Sequence, residues 1–260
     1  MTPTKPLQLN GRPIGTGSMP SIITPLVGRT RAEVNGELDA ILPKQPDLLE
    51  WRIDFFEGIV DTDLVVATAR EIKRKAGLVP ILLTRRNATE GGHAVDMDEA
   101  AVVAMYSRAC ETRCVDLIDY ELSNPPEHLR RVREVSTANG VAMVMSYHNF
   151  QLTPDADTLL DRFVSAQRLG ADVAKVAVMP KNPQDVLTLL NATYQASQAL
   201  RIPLISMSMG GIGSISRMMG WLYGSAATFA VGKSSSAPGQ IAVEDLRAML
   251  AAVRRAVNGA

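Results

Sequence analysis

A lysine in a mostly apolar stretch is the residue of this sequence with the clearest chemical potential. Lys175 stands at the centre of the run Ala171 to Met179, which is rich in Val and Ala. Burial would push its amine towards the neutral form, and a desolvated amine attacks carbonyl carbons to form a Schiff base. The alternative is an edge-strand lysine whose tail reaches water. The run alone leaves both interpretations open.

Charged residues alternate along a second apolar stretch. Glu50, Arg52 and Asp54 share one face under a two-residue repeat. Such a row inside a barrel forms an internal ion-pair network or binds a ligand, and the sequence does not decide between them. Further along, Arg86 and Glu90 lie in a glycine-containing segment. There they are placed either to grip an anion or to be solvated as ordinary loop residues.

Three later features add to this set. His148 ends the predicted strand before Lys175, and adjacent strands would bring the two within proton-transfer reach. Arg217 follows a glycine-rich stretch over residues 210–213 and would complete an anion site near a helix start. Residues 232–240 are small, polar and flanked by glycines. That composition suits a loop that closes over a ligand, and it is also typical of a flexible connection.

The elements that must position these residues recur eight times, each as a short apolar strand followed by an amphipathic helix. Eight such units in about 250 residues predict a (β/α)8 TIM barrel, as a single domain over residues 1–260, with an open doubly wound sheet as the alternative. Thr153-Pro154, Asn182-Pro183 and Asn124-Pro125 predict helix starts. The predicted strands are Ile22-Val27, Leu48-Asp54, Pro80-Arg85, Val115-Leu122, Val141-His148, Val173-Met179, Pro203-Met209 and Ala226-Val231.

Composition bounds the class of protein. The 260 residues are 46% hydrophobic, enough for a substantial core, and 27 basic residues balance 27 acidic ones. A net charge of zero gives no general footprint for nucleic acid. Neither a secretory signal nor a membrane span is expected. Two cysteines, Cys110 and Cys114, and three scattered histidines predict a reduced cytoplasmic protein without a metal site.

Six motifs, taken in order along nearly the whole chain, resemble type I 3-dehydroquinate dehydratase. The resemblance implies a (β/α)8 barrel that converts 3-dehydroquinate to 3-dehydroshikimate, the third step of the shikimate route to aromatic amino acids, with no cofactor or metal. It also implies a homodimer, and a short hairpin within the first twenty residues that caps the amino end of the barrel. The motifs are Glu50-Trp51-Arg52-Ile53-Asp54, Glu90-Gly91-Gly92, Ser146-Tyr147-His148-Asn149-Phe150, Lys175-Val176-Ala177-Val178-Met179-Pro180, Met207-Ser208-Met209 and Ser235-Ser236-Ala237-Pro238-Gly239-Gln240.

The resemblance assigns roles to particular residues. Lys175 would form an imine with the C3 ketone of the substrate. His148 would remove the acidified C2 proton and return a proton to the departing C1 hydroxyl, and Glu90 would orient His148 and favour its charged state. Arg217 would bind the substrate carboxylate. The other matches are Glu50, Arg52 and Arg86 towards the hydroxyls, Ser236 and Gln240 on the closing loop, and Phe150, Met207, Met209, Phe229 and Ala237 lining the pocket.

Two positions depart from that pattern, and two other functions compete with it. Pro25 stands where some members of the family carry a serine, and Gly210-Gly211 makes the segment before Arg217 more glycine-rich. A Schiff-base aldolase would use the same barrel and a lysine on the same strand, with a phosphate site that residues 210–213 could supply. Arg217 and the loop from Ser236 to Gln240 fit a carboxylate-bearing cyclic polyol better. A barrel that has lost catalysis and only binds a metabolite or a partner is the third hypothesis, and an intact set of polar site residues argues against it.

Overall fold

The computed structural model describes residues 6–15 and 19–259. It begins with a hairpin of two short strands, β1 (Leu7–Leu9) and β2 (Arg12–Ile14). Asn10 and Gly11 form its turn, both with positive φ, which matches the right-handed twist of the flanking strands. The predicted hairpin is therefore confirmed over these residues. The remaining parts of that expected cap, residues 1–5 and 16–18, lie outside the described residues.

All eight predicted barrel strands are present, and they pair in parallel. The order around the sheet is β10-β3-β4-β5-β6-β7-β8-β9, with the short β11 (Ile241–Ala242) beside β10. A bridge between Leu204 and Ser225 closes the sheet between β9 and β10, so the fold is the predicted barrel and not the open sheet. The strands are β3 (Ser21–Leu26), β4 (Leu48–Arg52), β5 (Ile81–Thr84), β6 (Leu117–Glu121), β7 (Ala142–Asn149), β8 (Val173–Val178), β9 (Leu204–Ser208) and β10 (Ala227–Val231).

The helices surround this sheet. They are α1 (Arg31–Ile41), α2 (Thr62–Ala76), α3 (Glu99–Glu111), α4 (Pro126–Asn139), α5 (Ala156–Arg168), α6 (Pro183–Ala199), α7 (Gly210–Met219) and α8 (Val243–Asn258). None of the helices in the described part of the chain combines the length and the apolar character needed to cross a bilayer.

The predicted helix starts were right in one case of three. Asn182 caps α6, where its side chain accepts the Asp185 N–H. The cap of α5 is Asp155 and not Thr153, because the Asp155 carboxylate accepts the N–H of the third helical residue. Asn124 does not cap α4, because its side-chain amide turns back to donate to the last residue of β6.

Pro25 lies inside a central strand, where the absence of an N–H would normally break the pairing. Ser21 donates its N–H to Ala226 beside β10, so alternate residues of β3 face that strand. Pairing of β3 with β10 ends at Ile23 and Phe229, and Pro25 would have donated the next bond. On its other side β3 remains paired with β4 as far as Leu26. The proline therefore ends one ladder without disturbing the other.

At the amino end of the barrel, a polar side chain that precedes each even-numbered strand accepts a hydrogen bond from the strand before it. Asp47, Asp116 and Asp172 each precede an even-numbered strand, and each carboxylate accepts an N–H from the strand before it. Ser225 does the same for Ser206 through its hydroxyl. These four side chains join β3 to β4, β5 to β6, β7 to β8 and β9 to β10, and hold the register of each pair.

Two main apolar clusters make up most of the core, and a third, small cluster lies against α8. The larger lies between the sheet and the helices, and includes Trp51, Tyr106 and Phe163. The smaller fills the barrel interior, where Leu9 and Ile14 of the hairpin pack with strand residues from the amino end. The hairpin therefore plugs one end of the barrel, and the other end is left for polar residues.

Candidate active site

A cavity lies at the carboxyl ends of the strands, where barrel enzymes hold their substrates. It brings together most of the residues predicted from the sequence. Arg217 and Met209 are buried close by but are not among its lining residues, and Ala177 is a lining residue that was not predicted. The lining residues are Glu50, Arg52, Arg86, Glu90, His148, Phe150, Lys175, Ala177, Met207, Phe229, Ser236, Ala237 and Gln240.

Lys175 points into this cavity from the middle of β8. Its side chain is 5% exposed, so the alternative of a lysine that reaches water is wrong. The Nζ atom lies 2.9 Å from Asp119 Oδ2 and 3.4 Å from Glu50 Oε1. It also lies 4.8 Å from the centre of the Phe229 ring. Lys175 is therefore a buried amine held between two carboxylates on one side and an aromatic face on the other.

Asp119 is the most important site residue that the sequence reasoning missed. Besides Lys175, it is paired with Arg86, whose Nη2 lies 2.8 Å from Oδ2, and it accepts a hydrogen bond from the Ser146 hydroxyl. Burial acts to raise the pKa of Asp119, but Arg86 and Lys175 hold that pKa well below its usual range. A signal was available, because Asp119 and Glu121 alternate along their strand as Glu50 and Arg52 do.

Glu121 anchors the segment that follows β5. Its Oε1 accepts from Arg86 Nη1 at 2.8 Å and from the Asn87 N–H at 2.9 Å. Burial acts to lower the pKa of Arg86, yet the charges of Asp119 and Glu121 raise that pKa above its usual value. Arg86 is therefore a permanent cation in the barrel, with each of its two charge partners supplied by β6.

His148 and Glu90 form a directly bonded pair. Glu90 Oε2 lies 3.1 Å from His148 Nδ1 and accepts the His148 N–H at 2.9 Å, while its Oε1 accepts from the Ser123 hydroxyl at 2.7 Å. Burial raises the pKa of Glu90 to about 7. Burial, together with the charges of Arg86 and Lys175, holds the pKa of His148 well below its usual value. The imidazole is therefore neutral and able to accept a proton, so the expectation that Glu90 favours its charged state is wrong.

Asp54 is fully buried and organises one side of the cavity mouth. Both of its oxygens accept hydrogen bonds from Arg52, each at 2.8 Å, and it also accepts the N–H groups of Arg86 and His93. Burial acts to raise the pKa of Asp54, but these bonds hold it below its usual value. Arg52 then donates to the carbonyl of Ser236 at 3.3 Å. The carboxyl end of β4 is thus linked to the loop that precedes β11.

That loop, residues 232–240, covers the cavity. Gln240 bonds to the hydroxyl and the N–H of Ser236, so the two predicted loop residues are joined. Gly239 has φ of +76°, and a Cβ there would lie 2.2 Å from the Gly210 carbonyl oxygen. The glycine therefore permits the close approach of the loop to the start of α7.

Arg217 lies beneath this loop in the last turn of α7, so its predicted position near a helix start is wrong, and it is almost fully buried. One nitrogen donates to the Pro238 carbonyl at 3.0 Å, and another lies 3.7 Å from Met207 Sδ. Its Nε has no hydrogen-bond partner, and no carboxylate of the described residues lies within ion-pair distance of it. Burial lowers its pKa to about 10. A buried cation without a counter-charge is suited to an anionic group of a ligand.

A closed parallel barrel with a buried amine beside a neutral histidine defines a barrel enzyme built for carbonyl and proton-transfer chemistry. Comparison with known proteins narrows this class. The chain belongs to the type I 3-dehydroquinase family, whose family model matches residues 22–256. The match covers nearly all of the barrel.

Relatives from this family are similar to the chain over nearly its full length. The 3-dehydroquinate dehydratase of Albidiferax ferrireducens is 52% identical over 99% of this chain and 98% of its own. The crystal structure of the 3-dehydroquinate dehydratase from Geobacillus kaustophilus has a TM-score of 0.94 at 46% identity, over 98% of each chain. The type I 3-dehydroquinate dehydratase of Clostridium difficile, solved with covalent modified comenic acid, has a TM-score of 0.93 at 34% identity and covers 97% of this chain and 99% of its own.

Proposed function

We propose that this chain dehydrates 3-dehydroquinate to 3-dehydroshikimate through a Schiff base on Lys175. The observation that carries the proposal is the Lys175 amine, which is buried at the cavity and ion-paired with Asp119 at 2.9 Å. Family membership supports the substrate and the product. The buried amine, its two carboxylate partners and the neutral His148 support the covalent mechanism.

Imine formation keeps the charge of the site constant. In the free enzyme the ammonium of Lys175 is balanced by Asp119 and Glu50. The ammonium first gives one proton to the neutral His148, and the free amine then adds to the C3 ketone. His148 returns that proton to the carbinolamine hydroxyl, which leaves as water, and a protonated iminium stands in place of the ammonium. The same two carboxylates then face the same positive charge, so the site needs little reorganisation. The iminium withdraws electrons and acidifies the neighbouring C2–H.

His148 is the base for that proton. When Glu90 is ionised it accepts the Nδ1–H of His148, which leaves the lone pair on Nε2 for the substrate. Transfer of the C2 proton to Nε2 converts the iminium to an enamine. The imidazolium then protonates the C1 hydroxyl, which departs as water while the C1–C2 double bond forms. Hydrolysis of the remaining iminium returns Lys175 and releases 3-dehydroshikimate.

Other residues bind and enclose the substrate. Arg217, which has no counter-charge among the described residues, would hold the C1 carboxylate, and Glu50, Arg52 and Arg86 would face the ring hydroxyls. The apolar part of the cavity wall restricts the entry of water, which would hydrolyse the iminium early. It consists of Phe150, Met207, Phe229 and Ala237, with the buried Met209 nearby. Ser236 and Gln240 close the cavity from the loop.

The test is reductive trapping. The protein is treated with borohydride in the presence of 3-dehydroquinate, and intact-mass and peptide mass spectrometry locate any adduct. A ligand-sized increase on Lys175 is expected, and Lys175→Met should abolish it while Lys181→Met, an exposed neighbour, should not. No adduct, under conditions that trap another type I enzyme, would exclude the imine. An adduct formed only with aldol substrates would favour the aldolase.

We also propose that the chain acts as a single catalytic domain, as a homodimer, in the cytoplasm. The family resemblance supports the dimer. The free thiols of Cys110 and Cys114, both buried, fit a reducing compartment. Sedimentation velocity should give twice the chain mass, limited proteolysis should give no stable half-sized fragment, and fractionation of the source cells should place the chain with the cytoplasmic proteins.

A further inference from the structure

Tyr106 lies outside the barrel on α3 but contacts the two strands behind the active site. Its ring is fully buried in the core between helices and sheet. The hydroxyl accepts the Arg85 N–H at 2.8 Å and donates to the Asp119 carbonyl at 2.8 Å. A single side chain thus bonds to the backbone of both β6 and the segment that follows β5.

The position of this hydroxyl follows from the register. Thr84 and Asp119 form the last registered pair of β5 and β6, and in a parallel ladder the Arg85 N–H and the Asp119 carbonyl would make the next bond. The Tyr106 hydroxyl lies between these two groups and satisfies both. It therefore replaces a direct bond between the strands and sets their separation at the carboxyl end.

The separation of the two strands matters because Arg86 and Asp119, which lie at this point of the strands, belong to the ion-pair network of the site. Arg86 follows Arg85 directly, and its side chain turns into the barrel to pair with Asp119 and Glu121. Asp119 itself holds Lys175. Tyr106 thus bonds to the backbone of Asp119 itself and to that of Arg85, the residue before Arg86.

We propose that Tyr106 is a positioning residue for catalysis, which fixes from outside the barrel the geometry of the Arg86–Asp119 pair that orients Lys175. This proposal rests on the proposed function, because it assigns Tyr106 a part in presenting the amine to the substrate. Tyr106 itself is not among the residues that line the cavity. Burial raises the pKa of Tyr106 well above its usual value, so the hydroxyl keeps its proton throughout the working range.

Tyr106→Phe removes the hydroxyl and keeps the ring. We expect kcat for 3-dehydroquinate to fall about tenfold, since small displacements of reacting groups cost rate steeply, with KM changed less than about twofold. Tyr120→Phe is the matched control. Tyr120 packs edge-on against Tyr106, and its hydroxyl bonds to Glu99 outside the barrel. A loss of kcat equal in both variants would overturn the proposal, because it would indicate general loosening of the core.

A double variant and an unnatural side chain distinguish a positioning role of Tyr106 from general loosening of the core. Asp119→Asn combined with Tyr106→Phe should be no slower than Asp119→Asn alone, because both act through the same pair; additive losses would contradict this. Site-specific 4-aminophenylalanine at 106 restores a donor to the Asp119 carbonyl and should recover part of kcat. No recovery in that folded variant would overturn the proposal. Absence of turnover in the unmodified enzyme would instead sink the proposed function.

Discussion

Lys175 Nζ and Arg86 Nη2 share one oxygen of Asp119, at 2.9 Å and 2.8 Å. Asp119 is wholly buried, so this oxygen has no solvent to screen it. Two cations therefore converge on one carboxylate at the base of the cavity. The negative charge of Asp119 is what allows a lysine ammonium, and later an iminium, to exist in a low-dielectric interior.

Asp119→Asn should strongly reduce imine formation. The amide keeps the size of the side chain but leaves Lys175 and Arg86 without their shared charge. We expect kcat to fall by at least about 100-fold, which corresponds to about 3 kcal/mol of lost stabilisation of the cationic intermediate. Stopped-flow measurement of single turnover, with borohydride trapping of the adduct, separates imine formation from later steps.

Asp116→Asn is the control for that substitution. Asp116 immediately precedes the same strand and pairs with Lys73, but it lies at the amino end of the barrel. It should lower the free energy of unfolding while leaving kcat unchanged. If the two variants lose activity to the same extent, Asp119 does not act through its charge on the amine.

The Glu90–His148 pair predicts a cancellation in the pH dependence of stability. Glu90 has its pKa raised to about 7, so the folded state holds a proton that the unfolded chain loses above about pH 4.3. His148 has a lowered pKa, so the unfolded chain gains a proton below about pH 6.5 that the folded state lacks. Below about pH 6.5, where both differences act, the two slopes have opposite signs and offset each other.

Variants that remove one partner should reveal the other's slope. Relative to the native protein, Glu90→Gln should gain stability as pH rises to about 6.5, by up to about 1.4 kcal/mol per pH unit. His148→Asn should lose stability as pH rises from about 4.5 to about 7. Urea unfolding at half-unit pH intervals measures both. Parallel curves for the two variants would contradict the assigned protonation states.

Arg217→Met should weaken substrate binding and yet stabilise the fold. Without its cation the site loses the partner for the substrate carboxylate, and KM should rise about 10- to 100-fold. Removing a buried charge that lacks a counter-charge should raise the free energy of unfolding by about 1–2 kcal/mol. Arg85→Met is the control, because Arg85 is paired with Glu99 and its loss should destabilise. A destabilised Arg217→Met protein would show that the cation is already compensated.

Ile14→Ala tests the plug at the amino end. Ile14 is buried with Leu9 against the lower barrel interior, so truncation should cost about 2–4 kcal/mol of unfolding free energy. The cavity lies at the opposite end, and kcat at 25 °C should stay unchanged. Gln8→Ala, an exposed position of the same hairpin, should affect neither quantity. A fall in kcat of the folded Ile14→Ala protein would mean that the plug supports the site as well.

The fold could be predicted from the sequence because eight apolar runs recur with helical segments between them. Each run is apolar throughout because both faces of a barrel strand are buried. Motif order supplied most of the cavity residues. It did not supply Asp119, whose importance depends on the cross-strand register that brings it to Lys175. Tyr106 was invisible for the same reason, since a buried tyrosine on an amphipathic helix is ordinary core until its hydroxyl is located. The hairpin had a local signal in Asn10-Gly11, but its strands are only three residues long.

The hydrogen bonds that Asp47, Asp116, Asp172 and Ser225 make at the amino end divide the barrel into four consecutive quarters, each of two strands and the helix that joins them. A chain cut after α4 leaves each of these hydrogen bonds within one fragment. A cut inside α3 instead separates Asp116 from the β5 amide that it binds. Fragment complementation should therefore succeed at the first break and fail at the second, and a circularly permuted enzyme should tolerate new termini only between quarters.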